Sequence, residues 1–256
     1  MPIVSATTDE PTGGAASPPT SPVRSRRIPA RNAPAADALT HGMQVEIWSD
    51  IACPWCYIGK RRFEEALARF PHRDDVRVTY RSYQLDPTLP ERFDGSEAEY
   101  LATAKGISVE QAQQMFAHVT QQARSVGLAY DFDALVVANS MKAHQILHLA
   151  KEHGVQSEVK EALLAAHFEQ GRDIGDERML ECVASTEGVP ADAIKDELAS
   201  GSRIPAVQQD IAEARALGIQ GVPMVELDRR FGVSGAQPAE VFLNALTQAY
   251  AASAPL

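Results

Sequence analysis

Two cysteines that lie three positions apart constrain the fold of this chain more than any other feature. Cys53 and Cys56 follow a short run at residues 45–48, which predicts a buried strand. They begin a segment at 54–70 in which apolar residues recur at helical spacing. Residues 76–81 then alternate between apolar and polar side chains, as a half-buried strand does. The order of strand, helix and strand predicts a βαβ unit with the cysteines at its first turn.

The position of the cysteine pair predicts thiol–disulfide chemistry. We expect Cys53 at the helix N-terminus, where free backbone N–H groups and the helix dipole stabilise a thiolate and lower the thiol pKa from about 8.5. Pro54 costs nothing at the first helical position, because that backbone nitrogen has no intrahelical partner. Cys56 follows one turn later and is placed to attack a mixed disulfide on Cys53 and release the substrate.

A zinc site is the main structural alternative for such a pair, and the sequence does not complete one. Structural zinc needs four ligands, and no second Cys-x-x-Cys or suitably spaced histidine pair accompanies Cys53 and Cys56. His144 and His148 are four residues apart, but histidines so spaced often pack or face water. Cys182 stands alone in a predicted helix, where we expect a buried small hydrophobe. We therefore predict no bound metal.

Composition limits the classes of function. The 256 residues carry 24 basic and 34 acidic side chains, and this net charge of −10 argues against a nucleic-acid binder, which must neutralise phosphates. No run approaches the roughly 18 apolar residues of a membrane span, and three cysteines are too few for a disulfide-stapled secreted scaffold. The early arginines are followed by no apolar signal segment. We expect a cytoplasmic protein that binds neither nucleic acid nor membrane.

Four segments follow from changes of pattern along the chain. Residues 1–42 are rich in Pro, Ser, Thr and Ala without a helical or strand period, which predicts a disordered and functionally silent extension. Residues 43–95 hold the βαβ unit, residues 96–217 are predicted to be helical almost throughout, and residues 218–256 are predicted to form two strands and a last helix. The sequence also carries predicted capping boxes and helix-ending glycines at Ser96 with Glu99, Ser108 with Gln111, Gly127 and Gly154. The predicted later elements are helices at 139–153, 157–169, 177–187, 190–199 and 206–217, strands at 222–227 and 231–234, and a helix at 238–250.

Four stretches share the pattern of one known family: residues 48–60 (WSDIACPWCYIGK), residues 139–154 with the pair Ala143-His144, residues 221–223 (GVP) and residues 234–238 (SGAQP). They resemble the DsbA-like thioredoxin-fold oxidoreductases, in particular the FrnE-type subgroup. That subgroup is related to 2-hydroxychromene-2-carboxylate isomerases and kappa-class glutathione transferases. The resemblance runs from Met43 to about Ala251. It implies an α/β, thioredoxin-like fold with a large all-helical insertion domain.

The resemblance gives roles to residues outside the cysteine pair. It implies a cis peptide bond before Pro223, with the backbone of Val222 turned outward to pair with a substrate strand beside Cys53. An ordinary trans proline that opens an edge strand is the alternative. Pro54 and Trp55 are expected to contact the substrate as well, with Trp55 exposed as a flat apolar surface.

A proton-transfer group is harder to place. Many thioredoxin-like proteins keep a buried carboxylate beneath the cysteine pair, and Glu46 on the first strand fills that role only if the following turn is one residue longer than in DsbA. The neighbouring Ile47 is apolar. Asp50 is nearer, but it lies in the turn, where it either caps the turn or is solvated. Glu46 is therefore the candidate.

The expected activity is that of a thiol–disulfide oxidoreductase working in the direction of reduction or isomerisation, because a reducing compartment keeps the resting pair as a dithiol. No cofactor is expected to be bound. Glutathione or mycothiol would serve as co-substrate, and a reducing system would be the partner. The substrate would be a protein or a small molecule that carries a thiol or a disulfide. A homodimer is one option for the assembly.

A thiol-dependent isomerase or transferase for a small aromatic or polyketide-like molecule is the alternative function. Relatives of that kind, which use glutathione, are similar to this chain but have Ser at the position of Cys53. A third hypothesis is a binding or chaperone module.

Overall fold

The structure is a computed structural model that describes residues 42–253. The predicted extension at 1–42 lies, apart from Gly42, outside the described residues. Four strands and nine α-helices make up the described part. The strands are β1 (Met43–Ser49), β2 (Val76–Ser82), β3 (Met224–Leu227) and β4 (Phe231–Ser234). The helices are α1 (Pro54–Arg69), α2 (Glu97–Lys105), α3 (Val109–Arg124), α4 (Met141–Glu152), α5 (Gln156–Phe168), α6 (Glu177–Thr186), α7 (Ala191–Ser200), α8 (Ile204–Ala216) and α9 (Ala239–Ser253).

The strands form one mixed sheet in the order β2-β1-β3-β4. β1 runs parallel to β2, with Ile47 opposite Tyr80, and antiparallel to β3, with Ile47 opposite Val225. The predicted βαβ unit is therefore confirmed. The predicted strand at 222–227 starts two residues too early, because Val222 and Pro223 form a separate turn before β3.

Helices α1 and α9 cover one face of the sheet. Phe63 of α1 meets Phe242 of α9 edge to face, with ring centroids 5.8 Å apart, in a cluster that includes Ile47 and Tyr80. The burial of these large apolar side chains is the main stabilising contribution on this face. It fixes α1, and with it the cysteine turn, relative to the strands.

Helix α8 packs on the opposite face through a buried carboxylate. Asp210 accepts hydrogen bonds from the backbone N–H of Ser82 at 2.9 Å and from Arg81 Nη1 at 2.8 Å, and its side chain lies 3.1 Å from His148 Nε2. Its backbone carbonyl accepts the indole N–H of Trp48 at 3.2 Å, and Trp48 is fully buried, as the sequence predicts for a core residue. The last helix of the insertion is thus tied directly to the sheet.

The insertion packs around the cysteine helix as well as around itself. Its main hydrophobic cluster includes Ile51, Tyr57 and Ile58 from the cysteine turn and α1. Cluster members from α4 and α5 include Ile146 and Leu163. The two parts of the fold therefore share one core at the site of the cysteines.

Local sequence signals account for the helix ends. Ser96 with Glu99 and Ser108 with Gln111 form both predicted capping boxes. Gly127 and Gly154 have φ of 79° and 75°, as glycines that end helices do. The predicted burial of Cys182 is wrong: it is exposed, because the buried face of α6 is formed by Met179, Leu180 and Ala184. Within residues 42–253, no helix is both long and apolar enough to cross a membrane.

The ion pairs of Asp210 give a test of how α8 is held. We expect Asp210→Ala to lower the free energy of unfolding by about 3 kcal/mol, since it leaves buried donors without an acceptor. Burial raises the pKa of Asp210, but hydrogen bonds from His148 and Ser82 and the charge of Arg81 bring it below its usual range. Its stabilisation is therefore present above the unfolded pKa of about 3.9 and lost as pH falls through the folded value.

Urea unfolding of Asp210→Ala and the wild type at neutral and acid pH checks this, and the difference should shrink in acid. Glu240→Ala removes an exposed partner of Arg69 and should change nothing measurable. Equal effects of the two substitutions on the free energy of unfolding would contradict this role of Asp210.

Candidate active site

The cysteine pair lies at the start of α1, where the sequence places it. Cys53 is the N-cap residue, with extended backbone angles, and Pro54 begins the helix. The backbone N–H of Cys56 donates to the Cys53 carbonyl at 3.0 Å. Both thiols are free, and the two residues are only 3% and 2% exposed. The pair is a dithiol held in a nearly closed site.

A cis peptide bond joins Val222 and Pro223, as predicted. The Cys53 thiol donates to the Val222 carbonyl oxygen, with Sγ and O 3.6 Å apart. Pro223 packs against α1 at Gly59, where an added Cβ would lie 2.8 Å from the proline Cγ. Glycine at this position therefore lets the cis-proline turn sit directly beside the cysteines.

Asp50 fixes the turn before the cysteines. Its carboxylate is 1% exposed and accepts hydrogen bonds from the backbone N–H of Ala52 at 3.4 Å and of Leu85 at 2.8 Å. It lies 3.1 Å from His144 Nε2. Burial raises the pKa of Asp50, but His144 and the Leu85 N–H outweigh it and lower the pKa. Of the two sequence interpretations of Asp50, the capping one is confirmed and the solvated one is wrong, because α4 covers the carboxylate.

The two histidines of α4 contact different carboxylates. His144 contacts Asp50, whereas His148 contacts Asp210 and, at 3.2 Å from its Oγ, Ser82. Each imidazole thus faces its own buried carboxylate. Across residues 42–253, no group of three or more His, Cys, Asp and Glu side chains is arranged to hold a metal ion.

The two thiols titrate as one unit. The hydrogen bond to Cys56, together with burial and the like charge of a Cys56 thiolate, raises the pKa of Cys53 well above its usual value. Burial raises the pKa of Cys56, but the hydrogen bond from Cys53 and the charge of Lys160 lower it overall. The pair therefore releases its first proton below the ordinary thiol pKa and holds the second above it. The sequence predicts a lowered pKa for Cys53; in the structure the lowering falls on Cys56, because Cys56 receives the hydrogen bond from Cys53 and the charge of Lys160.

Helix α3 and the loop after it cover the outer side of the pair. Tyr130 donates its hydroxyl to the Pro54 carbonyl at 2.7 Å. The Trp55 ring lies 6.0 Å from the ring of His118. Trp55 is half-buried, not exposed as predicted, since it packs against the hydrophobic cluster of the insertion. The expected contacts of Pro54, Trp55, Val222 and Pro223 with substrate stay predictions.

A family model described as "DSBA-like thioredoxin domain" matches residues 44–247. The chain belongs to this DsbA-like family. The fold is therefore the predicted α/β, thioredoxin-like one with a helical insertion, and the enzyme is a disulfide oxidoreductase or isomerase.

Solved structures agree with this assignment. A probable DsbA oxidoreductase of Streptomyces coelicolor is 44% identical, with a TM-score of 0.79 over 84% of this chain and 92% of that one. The cytosolic disulfide reductase DsbM of Pseudomonas aeruginosa is 16% identical, with a TM-score of 0.55 over 81% and 95%. A 2-hydroxychromene-2-carboxylate isomerase is 15% identical, with a TM-score of 0.59 over 80% and 95%. The last two share the fold.

Glu46, the predicted proton-transfer group of this DsbA-like site, lies in a network of ion pairs. Its carboxylate accepts from Arg81 and, at 2.9 Å, from Arg229 Nε. Burial raises the pKa of Glu46, but the two guanidinium groups lower it overall. A cavity of about 410 Å³ beside these three residues has no cysteine in its lining. Proton transfer by Glu46 stays a prediction, and its observed partners hold it ionised.

Sequence reasoning missed two polar groups near Cys56. Ser49 ends β1, and Lys160 lies in α5; both are 1% exposed. Lys160 could have been noticed, because it interrupts an apolar helical stripe that contains Val159, Leu163 and Leu164. A lysine in such a stripe is expected to be buried, and buried lysines are rare unless their charge is paired.

The contact of Gly59 with Pro223 gives a test of the turn. Replacing a helical glycine by alanine ordinarily stabilises a protein by roughly 0.5–1 kcal/mol. Here the new Cβ meets a rigid ring, so we expect Gly59→Ala to lower the free energy of unfolding by about 1–3 kcal/mol and to slow the reaction of the cysteines with a small disulfide.

Urea unfolding and disulfide-exchange kinetics measure both effects. Gly106→Ala is the control, because its Cβ meets nothing within 4 Å and it lies far along the chain from the turn. It should lose stability through its left-handed backbone, with φ of 66°, and keep wild-type exchange kinetics. A more stable Gly59→Ala with unchanged kinetics would refute the contact's role.

Proposed function

We propose that this protein reduces or isomerises disulfides in the cytoplasm, with Cys53 as the attacking and Cys56 as the resolving thiol. The observation that carries the proposal is the contact of the Cys53 thiol with the Val222 carbonyl beside the cis-proline. Cys53 is thereby the sulfur next to the backbone that a substrate strand would pair with. Cys56 lies one turn into α1 behind it.

The reaction takes two exchange steps. Within the singly ionised pair the proton of Cys53 passes to the Cys56 thiolate, and the resulting Cys53 thiolate attacks one sulfur of the substrate disulfide, which releases a substrate thiolate and leaves a mixed disulfide on Cys53. The Cys56 thiolate then attacks the Cys53 sulfur, which forms the Cys53–Cys56 disulfide and releases the second substrate thiolate. Two electrons pass from the protein to the substrate. When a substrate thiolate attacks the mixed disulfide instead, the outcome is isomerisation.

The proposed direction needs a source of electrons. We propose that a reducing partner system or a low-molecular-weight thiol, glutathione or mycothiol, returns the Cys53–Cys56 disulfide to the dithiol. The likeness of the fold to DsbM supports this, since that protein is described as a cytosolic disulfide reductase and has also been solved with GSH.

The nearly closed site favours substrates that reach the Cys53 sulfur from one side. Both cysteines are nearly covered, and Trp55 lies beside His118 of α3. We propose that an extended peptide with a disulfide, or a small thiol disulfide, approaches Cys53 between these two rings and the Val222 turn.

A trapping experiment tests the assignment of roles. In Cys56→Ala the mixed disulfide on Cys53 has no resolving thiol, so we expect substrates to accumulate as adducts that reductant releases. Mass spectrometry of protein isolated from cells without reductant measures the adducts. Cys53→Ala should trap far less, and Cys182→Ala, which removes the exposed third cysteine, should behave as the wild type.

Two outcomes would contradict the proposal. An empty trap combined with isomerase activity of Cys56→Ala on a small aromatic compound would support the thiol-dependent isomerase instead. Binding of unfolded chains that is unchanged in Cys53→Ser, without disulfide turnover in the wild type, would support a chaperone module.

A further inference from the structure

A buried amine without a hydrogen-bond partner lies on α5, which packs against the cysteine helix α1 and against β2. Lys160 is 1% exposed, and its Nζ has no acceptor among residues 42–253. Its surroundings include the ring of Tyr80, whose centroid is 5.4 Å from Nζ. A buried amine without a hydrogen-bond partner lowers the stability of the fold, and such a group in a native structure calls for an explanation. A contribution to stability is not that explanation, because the group is destabilising.

The helix that carries Lys160 is fixed on both sides of it. One turn before, the Gln156 side chain accepts from the Tyr80 N–H at 3.0 Å and donates to the Tyr80 carbonyl at 2.9 Å. One residue after, Glu161 accepts from the Tyr57 hydroxyl and from Lys60 Nζ, both at 2.6 Å. These bonds tie α5 to β2 and to the cysteine helix at once. The amine is therefore held at one place in the fold.

That place lies on the side of the sheet that the cysteine helix covers. Tyr80 pairs with Ile47 in the parallel register, and Ser49 follows two positions later, so the three side chains share the sheet face that α1 covers. Ser49 Oγ is also buried, and its hydrogen bond with Cys56 helps to lower the pKa of that thiol. Ser49 and Lys160 thus both act on Cys56 from the sheet side of the cysteine helix.

Electrostatics link the amine and the thiol in both directions. Burial lowers the pKa of Lys160 to about 8, against the opposing effect of Cys56. Burial raises the pKa of Cys56, and the hydrogen bond from Cys53 and the charge of Lys160 reverse that shift. The other charged or titratable groups around Lys160 are Asp50, Lys60, Cys53 and Tyr80.

We propose that Lys160, as the ammonium, stabilises the Cys56 thiolate that resolves the mixed disulfide. This rests on the proposed function. Cys56 gives up its proton to water, and its thiolate attacks the Cys53 sulfur. The Cys53–Cys56 bond forms as the bond from Cys53 to the substrate breaks, and the departing substrate thiolate takes a proton from water.

The carboxylates near the pair are already engaged. Asp50 accepts two backbone N–H groups and faces His144. Glu46 accepts from Arg81 and Arg229. Lys160 Nζ makes no such hydrogen bond among residues 42–253, and its charge acts on Cys56.

The pKa of Cys56 tests this without any substrate. In a Cys53→Ser background the Cys56 thiol titrates without its neighbour, and NMR of isotope-labelled cysteine Cβ atoms follows it. We expect Lys160→Met, which keeps the length of the side chain and removes the amine, to raise the pKa of Cys56. Lys195→Met is the matched control, because Lys195 is exposed and paired with Glu181, and it should leave the pKa unchanged.

The resolving step gives a second readout. With a mixed disulfide preformed on Cys53, Lys160→Met should slow release of the bound thiol by about a hundredfold at neutral pH, and the rate should recover as pH rises. Formation of the mixed disulfide by Cys53 should slow much less. The unfolding midpoint of Lys160→Met should equal or exceed that of the wild type, since an unpaired buried amine is gone.

An unchanged Cys56 pKa in Lys160→Met would overturn the proposal, even where Cys56→Ala traps substrates. A fall in the unfolding midpoint of both Lys160→Met and Lys160→Gln, with resolution at the wild-type rate, would overturn it in favour of a structural role. A raised Cys56 pKa together with an empty trap would leave the link between the two groups standing and reject only the proposed function.

Discussion

The buried carboxylate of Asp50 joins the parts of the molecule on which the site depends. It follows β1 directly, caps the turn that leads to Cys53, accepts the N–H of Leu85 after β2, and faces His144 of the helical insertion. A carboxylate without exposure to water must have all of these partners, because an unsatisfied buried charge is far costlier than any of them contributes singly. The cysteine turn is therefore positioned by the sheet and by the insertion together.

The helical insertion does more than cover the cysteine pair. Helix α5 supplies Gln156, Lys160 and Glu161, which clamp the first βαβ unit and bring a positive charge to Cys56. Cys53 lies at the N-terminus of α1, and the cis-proline turn holds the carbonyl that Cys53 contacts. The insertion supplies the charge that lowers the pKa of Cys56. The chemistry of the pair is set by three elements that are far apart in the sequence.

Local signals made much of this predictable. The βαβ unit, both capping boxes and the placement of the cysteines at a helix start follow from patterns within a few residues, and the resemblance to DsbA-like proteins added the cis peptide before Pro223. The predictions that were wrong concern packing between segments that are distant in the sequence. Asp50 is buried by α4, Trp55 is half-covered by the insertion, and Cys182 falls on the outer face of α6. Likewise the charge that lowers the pKa of Cys56 comes from residue 160, about a hundred positions away.

The central claim is that the two thiols form one buried unit that shares a proton. NMR titration of both labelled cysteine Cβ atoms in the reduced wild-type protein tests it most directly. The account predicts that one thiolate forms below the ordinary thiol pKa of about 8.5, mainly on Cys56, and that the second forms in a separate step well above it. Two independent ionisations, both near 8.5, would contradict it.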